Sequence, residues 1–135
     1  MLVIDASAVA ELVLARPAAE AVARHVADHE HDLHAPHLVD VEVLSAVRRL
    51  VGSRDASLER AAEAITDLLD LPIARYRHDI LVPRVWELRR NFSSYDATYL
   101  ALAEALTDDG IPLLTADKRF ARAIRAHTAV EALSV

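Results

Sequence analysis

The sequence has no cysteine and only two glycines in 135 residues. Without cysteine, the chain has neither a disulfide framework nor a thiolate metal site, and an intracellular location is favoured. The two glycines form neither a glycine-rich phosphate loop nor a Gly-x-Gly-x-x-Gly dinucleotide fingerprint. The nucleotide-binding classes that depend on these loops are therefore excluded.

Aromatic residues and lysine are also scarce. Aromatic residues make up 4% of the chain and hydrophobic residues 53%, which predicts a globular protein with a core of Ala, Val, Leu and Ile. The net charge of −6 argues against nucleic-acid binding through overall charge, so any such binding has to be local. Lys118 is the only lysine among 15 basic residues. The arginines suit two-pronged contacts with phosphate or carboxylate, and a codon-biased genome is the alternative explanation for their number.

The apolar N-terminus, MLVIDASAVAELVLARP, is interrupted by Asp5 and Glu11 and is not preceded by a basic segment. It therefore matches neither a signal peptide nor a membrane span. The length is typical of one domain with a real core. We expect one soluble, cytoplasmic domain over residues 1–135 with no membrane partner.

Short apolar strands alternate with helical segments along the chain, which predicts an α/β fold with a short parallel central sheet flanked by helices. Such sheets bind ligands beyond the carboxyl ends of their strands. The predicted strands are residues 2–4, 32–35, 73–76, 112–115 and 128–130. The predicted helices are residues 6–15, a helix that opens at Pro17, residues 37–51, 57–71 and 80–91, a helix from about Tyr95, and residues 117–127.

Four acidic residues follow strands or begin helices. Asp5 directly follows the first strand, and Asp117 follows the fourth predicted strand by one residue. Asp96 begins a helix, and Glu42 lies near the start of another. If the four carboxylates converge, they form an oxygen-only site of the kind that Mg²⁺ or Mn²⁺ prefers.

Each acid also has a purely structural interpretation. Asp5 and Asp117 are suited to cap the helices that follow them. Asp96 stands three residues after Ser93, which is the spacing of a capping box, and the helix dipole favours a negative charge there. Glu42 has no basic residue three or four positions away, so it lacks the usual ion pair within a helix.

The combination of the acids resembles a known family. The motifs VIDASAV, APHLVDVEVLSAVRR, SSYDATYLALAE and LLTADKRF contain the four acids in order and closely resemble the signatures of the PIN-domain nucleases, above all of the VapC toxins. The resemblance implies a three-layer PIN-like fold and hydrolysis of RNA phosphodiester bonds by metal-activated water. It also implies a VapB-type antitoxin as partner and a homodimer.

The resemblance also assigns the site, residue by residue. The implied catalytic and metal-binding residues, which would hold one or two Mg²⁺ or Mn²⁺ ions, are Asp5, Glu42, Asp96 and Asp117. Ser7 and Thr115 are the implied supporting hydroxyls. Lys118 and Arg119, beside Asp117, are the candidate RNA-binding residues.

Other basic and aromatic residues are more ambiguous. A wider basic rim would comprise Arg48, Arg49, Arg54, Arg84, Arg89 and Arg90, and a solvated helix face explains each of them equally well. The aromatic residues Trp86, Tyr95 and Tyr99 are predicted to pack in the core. The histidine-rich segment contains His25, His29, His31, His34 and His37. His25 and His29 are spaced as a helical zinc pair, but a polar surface segment is the favoured interpretation.

Three other functions are considered. A catalytically idle, purely binding member of the PIN fold keeps the acids without using them. A receiver domain needs a paired acid after the first strand, and a haloacid-dehalogenase-like phosphatase needs a second Asp two residues after the first. In this chain Asp5 is followed by Ala6 and Ser7, so both of these fit poorly.

Overall fold

A computed structural model describes all residues from Met1 to Val135. Five strands form one parallel sheet, and seven helices flank it as predicted. The strands are β1 (Leu2–Ile4), β2 (Leu33–Pro36), β3 (Ile73–Tyr76), β4 (Leu113–Thr115) and β5 (Ala132–Ser134). The helices are α1 (Ala6–Val13), α2 (Ala19–Asp28), α3 (Leu38–Gly52), α4 (Leu58–Asp70), α5 (Val82–Glu87), α6 (Ser94–Ala105) and α7 (Lys118–His127).

The strand order β3-β2-β1-β4-β5 places β1 in the centre of the sheet. Strands β2 and β3 are added in turn on one side of β1. The next strand, β4, pairs with β1 on its other side, and β5 follows it. The pair β1 and β4, with Val3 opposite Leu113, is therefore the switch point where ligands of open parallel sheets bind. Receiver-like domains have the order 2-1-3-4-5, so this topology excludes a receiver.

The elements at this switch point are rigid because they are buried. Leu2, Val3 and Ile4 of β1 are fully buried, as expected for a parallel strand covered on both faces. In α6, every residue of 97–103 is buried, and this helix packs on β1, β2 and β4. A helix that is apolar on all sides belongs in the core. Asp96 thus begins a helix whose position over the sheet is fixed.

Most of the predicted bounds differ from the structure by one or two residues, and three elements show the reasons. The last strand is Ala132–Ser134 and not residues 128–130, because Thr128 ends α7: its hydroxyl donates to the Ile124 carbonyl and accepts from the Val130 N–H. The helix expected to open at Pro17 begins at Ala19. The helix predicted for residues 80–91 is shortened to α5, which follows a 3₁₀ turn at Asp79–Leu81 and has Pro83 in its first turn.

The prediction of buried aromatic residues is correct for one residue of three. Tyr99 is 2% exposed, whereas Trp86 is 67% and Tyr95 is 64% exposed. Trp86 lies on α5, and the guanidinium of Arg89 stands over its indole ring. The guanidinium carbon is 4.5 Å from the centroid of that ring. No helix is both long and apolar enough to cross a membrane.

Candidate active site

Asp5 is the buried centre of the candidate site, 5% exposed at the carboxyl end of β1. Its Oδ1 accepts hydrogen bonds from the Ala8 N–H at 3.0 Å and from Ser7 Oγ at 2.6 Å. Its Oδ2 accepts from Thr115 Oγ1 at 2.6 Å. Burial raises the pKa of Asp5, although these hydrogen bonds lower it. Asp5 therefore does cap α1, and the cap holds its carboxylate at the switch point.

Ser7 and Thr115, the predicted supporting hydroxyls, both lie directly against Asp5. Because each hydroxyl gives its single hydrogen to Asp5, each is left to accept from a backbone amide. Ser7 Oγ accepts from the Ala116 N–H and Thr115 Oγ1 from the Asp117 N–H, both at 2.9 Å. The two hydroxyls thus join the carboxyl end of β1 to the segment that follows β4.

Asp117 caps α7 at the exposed edge of the site. Its Oδ1 accepts from the Arg119 N–H at 2.8 Å and from the Phe120 N–H at 3.2 Å. Its other carboxylate oxygen accepts no hydrogen bond from the protein, so it stays available to a ligand. The same side chain thus caps a helix and offers an oxygen to a cation.

Asp96 stands in the first turn of α6, where only half of the expected capping box is formed. Ser93 Oγ accepts from the Asp96 N–H at 3.1 Å, but the Asp96 carboxylate does not accept in return from the Ser93 N–H. Burial and the charges of Asp5 and Asp117 raise the pKa of Asp96 to about 6. The helix N-terminus therefore does not hold the pKa of Asp96 at its ordinary value, although the side chain is still mostly ionised at neutral pH.

Glu42 on α3 is held by a residue that sequence analysis did not assign to the site. The Tyr99 hydroxyl donates to Glu42 Oε1 at 3.0 Å. Burial raises the pKa of Glu42, the hydrogen bond from Tyr99 lowers it, and the charges of Asp5 and Asp96 raise it. The sequence did contain a sign that Tyr99 belongs to the site. Tyr99 stands three residues after Asp96 on the same helix, and residues at i and i+3 share a helix face.

The four acids form a negative cluster that no ion pair compensates, although the charge of Arg119 lowers the pKa of Asp96. None of them takes part in an ion pair, and Asp5, Glu42 and Asp96 each have a pKa raised by burial and by neighbouring carboxylates. As the side chains stand, no three His, Asp or Glu residues are close enough to hold a metal ion between them. A cation would therefore have to draw the carboxylates together.

Three cavities surround this cluster. One of about 410 Å³ lies between Glu42 on α3 and Tyr95 on α6. A second, of about 380 Å³, runs between α1 and α3 and reaches Asp117, and a third, of about 280 Å³, contains Asp96 and Arg119. Asp117 lines both the second and the third cavity, and Ser7 lines the first and the second, so the three cavities are neighbours around the acids.

The predicted basic residues are distributed unevenly around this groove. Arg119 lines the cavity that contains Asp96, whereas Lys118 is exposed and lines none of the three. Arg84 is occupied elsewhere, because its guanidinium forms a two-pronged ion pair with Glu104 at 2.7 and 3.1 Å. Arg49 lines two of the cavities. Of the basic residues predicted for the rim, Arg49 and Arg119 therefore line cavities next to the acids, and Arg16 also lines the cavity that reaches Asp117.

Two histidines of the histidine-rich segment have hydrogen-bond partners close to them. His29 Nδ1 lies 2.8 Å from the His25 backbone carbonyl. His34 is buried on β2 between the Tyr76 hydroxyl at 2.8 Å and the Asp32 carboxylate at 2.9 Å. These interactions explain the two ring positions by local packing. The interpretation as a polar surface segment is wrong for His34, which is buried in β2.

Known proteins resemble this chain over nearly its whole length. The PIN domain family model matches residues 2–126. Ribonuclease VapC12 of Mycobacterium tuberculosis is 37% identical over 131 residues, which are 97% of this chain and 98% of the relative. Ribonuclease VapC1 of the same organism is 43% identical over 122 residues, 90% of this chain and 89% of the relative.

The fold has a solved counterpart as well. The crystal structure of Mycobacterium tuberculosis VapC20, described as a toxin that cleaves the sarcin–ricin loop, aligns with a TM-score of 0.68. The alignment covers 91% of this chain and 95% of the other at 19% sequence identity. That identity supports the fold alone. Together, these matches confirm the family that the four acidic motifs predicted.

Proposed function

Since this chain belongs to the PIN-domain family, we propose that it is a metal-dependent endoribonuclease and the toxin of a VapBC-type toxin–antitoxin pair. Relatives that cover most of the chain are named ribonucleases of the VapC type. The observation that carries the proposal is the cluster of Asp5, Glu42, Asp96 and Asp117 at the switch point of the sheet, whose charges no ion pair compensates. A cluster of this kind is unfavourable without a cation, which makes cation binding its simplest purpose.

The residues at the site fit Mg²⁺ or Mn²⁺ by their chemistry. All four side chains offer carboxylate oxygens, which hard divalent cations prefer, and no basic side chain forms an ion pair with them. We assign one or two such ions to Asp5, Glu42, Asp96 and Asp117. The chemistry that such ions supply is activation of a water molecule and neutralisation of the charge that builds up on the phosphate.

The chain's own residues prepare this site before RNA arrives. Ser7 and Thr115 fix both oxygens of Asp5, and Tyr99 fixes one oxygen of Glu42. Asp117 is held by the amides of α7 with one oxygen free. These hydrogen bonds restrict the orientation of the three carboxylates, so the rearrangement that remains is the approach of the side chains when a cation binds.

The remaining parts of the proposal concern partners. Lys118 and Arg119 are assigned to RNA binding because they follow Asp117 at the open edge of the site. A VapB-type antitoxin is assigned as the protein partner because the relatives carry the VapC name. A homodimer is assigned on the family resemblance alone.

The test is cleavage of total cellular RNA by the purified chain with Mn²⁺, followed by mapping of the new 5′ ends. We expect discrete cleavage sites that disappear with EDTA and in Asp5→Asn and Asp96→Asn. Asp79→Asn is the matched control, since this exposed aspartate pairs with Arg77 and lies outside the cluster. Cleavage that persists in EDTA, or that is undiminished in both site variants, contradicts the proposal.

A further inference from the structure

An ion pair outside the acid cluster joins α3, the helix that carries Glu42, to strand β3. Arg75 donates from Nε to Asp40 Oδ2 and from Nη2 to Asp40 Oδ1, both at 2.8 Å. The two side chains are only 24% and 32% exposed, although the residues are 35 apart in the chain. A two-pronged pair of this kind fixes the direction of the partner as well as its distance.

The same guanidinium also holds the end of α4. Arg75 Nη2 donates to the Leu68 carbonyl at 3.3 Å, and Nη1 donates to the Ile73 carbonyl at 3.2 Å. Leu68 lies in the last turn of α4, where the helix dipole favours a cation, and Asp40 lies in the first turn of α3, where it favours an anion. Arg75 therefore clamps the start of α3 and the end of α4 to β3.

The start of α3 depends on this clamp because it has no side-chain cap. His37, the residue before α3, makes no capping hydrogen bond, whereas the helices next to the other three acids, α1, α6 and α7, are each capped by a side chain. The His37 N–H donates instead to the Tyr76 carbonyl of β3 at 2.8 Å. The first turn of α3 is thus fastened to β3 by one backbone hydrogen bond and by the pair of Asp40 with Arg75.

Asp40 stands two residues before Glu42, about 3 Å along the helix axis. Residues two apart on a helix point to different sides of it. One side of α3 is therefore held by Arg75 through Asp40, and another side meets Tyr99 of α6, whose hydroxyl donates to Glu42 Oε1 at 3.0 Å. Contacts on two sides of a helix determine its rotation about its own axis.

We propose that Arg75 is a positioning residue of the acid cluster. By holding Asp40, it sets the rotation of α3 that directs the Glu42 carboxylate to Tyr99 and to the metal site. None of the four hydrogen bonds of Arg75 goes to the acids themselves, so it acts through α3. The metal part of this inference rests on the proposed function, whereas the effect on the hydrogen bond between Tyr99 and Glu42 needs no metal.

The first test is Mn²⁺ affinity, measured by isothermal titration calorimetry well below the melting temperature. Arg75→Gln should raise the Kd for Mn²⁺ about tenfold, as for other residues that orient metal ligands. Loss of a positive charge would by itself strengthen cation binding, so a weaker affinity separates positioning from electrostatics. A Kd in Arg75→Gln at or below the wild-type value overturns the inference.

Two other variants show whether the ion pair is the route. Asp40→Asn should also raise the Kd for Mn²⁺, and the double variant should raise it no further than the larger single effect, because both changes break one pair. Arg84→Gln is the matched control. It removes a two-pronged pair of the same kind, with Glu104 between α5 and α6, and should leave the Kd unchanged. An unchanged Kd in Asp40→Asn, or an equal rise in Arg84→Gln, contradicts the positioning role.

The second test is a double-mutant cycle in EDTA, measured by urea unfolding. Tyr99→Phe should lower the equilibrium constant for folding about tenfold in the wild-type background, as for one hydrogen bond to a charged acceptor. In the Arg75→Gln background the same change should have only about a twofold effect, because Glu42 has already turned away. In the Arg84→Gln background the full effect should remain. Asp40→Asn takes the place of Arg75→Gln in the cycle if the latter does not fold.

The two tests separate this inference from the proposed function. If wild type cleaves RNA with Mn²⁺ but Tyr99→Phe has the same effect on folding with and without Arg75, the positioning role is wrong and the function stands. If wild type neither binds Mn²⁺ nor cleaves RNA, the proposed function is wrong, and the cycle in EDTA alone decides whether Arg75 positions Glu42.

Discussion

The Tyr99 hydroxyl lies 3.0 Å from Glu42 Oε1 and donates a hydrogen bond to it. This bond joins α6, the helix with the largest number of buried residues, to the partly exposed helix α3. Tyr99 is itself 2% exposed, so its ring position is set by the core. The carboxylate of Glu42 is therefore oriented by a residue that cannot move independently of the fold.

Removing this hydrogen bond should weaken metal binding. In Tyr99→Phe the ring still fills the core, but the carboxylate of Glu42 loses its donor. We expect the Kd for Mn²⁺, measured from the rise of melting temperature with added metal, to increase about tenfold, as for other residues that orient metal ligands.

The control for this prediction is Tyr76→Phe. Its hydroxyl interacts with His34 on β2, which is not part of the acid cluster, so Mn²⁺ affinity should stay at the wild-type value. An unchanged Mn²⁺ affinity in Tyr99→Phe would show that Glu42 is positioned without the tyrosine.

Asp96→Asn should stabilise the metal-free protein at neutral pH. The pKa of Asp96 is raised from 3.8 to about 6 in the folded state, so the folded protein binds the proton more tightly than the unfolded chain. The contribution of Asp96 to stability is thus greatest below about pH 4 and falls as the pH rises from about 4 to 6. Because Asp96 is only partly buried and screened by solvent, we expect a gain in unfolding free energy on the order of 1 kcal/mol at about pH 7.

The measurement is urea unfolding in EDTA at about pH 7 and about pH 4.5, on either side of the raised pKa. The gain should be clearly smaller at the lower pH, where wild-type Asp96 is largely protonated. In Asp79→Asn no gain should appear at either pH, because the hydrogen bond from Arg77 lowers the pKa of this exposed aspartate. A destabilised Asp96→Asn at neutral pH would contradict the raised pKa of Asp96 that burial and the charges of Asp5 and Asp117 cause.

Thr115→Val should destabilise the fold although it conserves shape. Thr115 is fully buried, donates to Asp5 Oδ2 and accepts from the Asp117 N–H. Valine leaves both of these groups without their partner, which costs about 1–3 kcal/mol for a buried polar group. Urea unfolding in EDTA measures this loss.

Thr98→Val is the matched control for Thr115. Thr98 is also buried, but its hydroxyl donates only to the Ser94 carbonyl within α6. This carbonyl already has its helical partner, so the loss should be clearly smaller than in Thr115→Val. Equal losses in the two variants would indicate that the volume change, and not the Asp5 network, determines the effect.

Arg84→Gln should leave RNA binding unchanged, although sequence analysis places Arg84 in the basic rim. Its guanidinium is engaged by Glu104 and Glu87, so no phosphate contact is lost. The salt slope of RNA affinity should equal that of wild type, and Arg119→Gln should reduce it by about 0.7. A reduced salt slope of RNA affinity in Arg84→Gln would indicate that Arg84 contacts an RNA phosphate and that RNA therefore binds along α5.

The sequence by itself determined the bounds of two strands, the central β1 and the edge strand β3, and the order of the acids. The predicted bounds of β1 and β3 are correct to the residue, and for β1 the reason is that a strand buried on both faces has to be continuously apolar. Asp5 and Asp117 follow strands, so a parallel sheet brings them to one edge whatever the helices do. The acidic motifs then sufficed to identify the family.

Only the tertiary structure decided what surrounds those acids. Tyr95 and Tyr99 lie in the same largely apolar segment, so the sequence does not show which of them is buried. The packing of α6 against the sheet buries Tyr99 and leaves Tyr95 exposed. Likewise, the sequence alone does not distinguish Arg84 from Arg49, since both are arginines on predicted helices. In the structure Arg84 forms an ion pair with Glu104, 20 residues away in the chain, whereas Arg49 forms no ion pair. Composition and spacing establish which groups a site can use; long-range packing decides which of them are buried, paired or free, because those properties depend on neighbours that are distant in the chain.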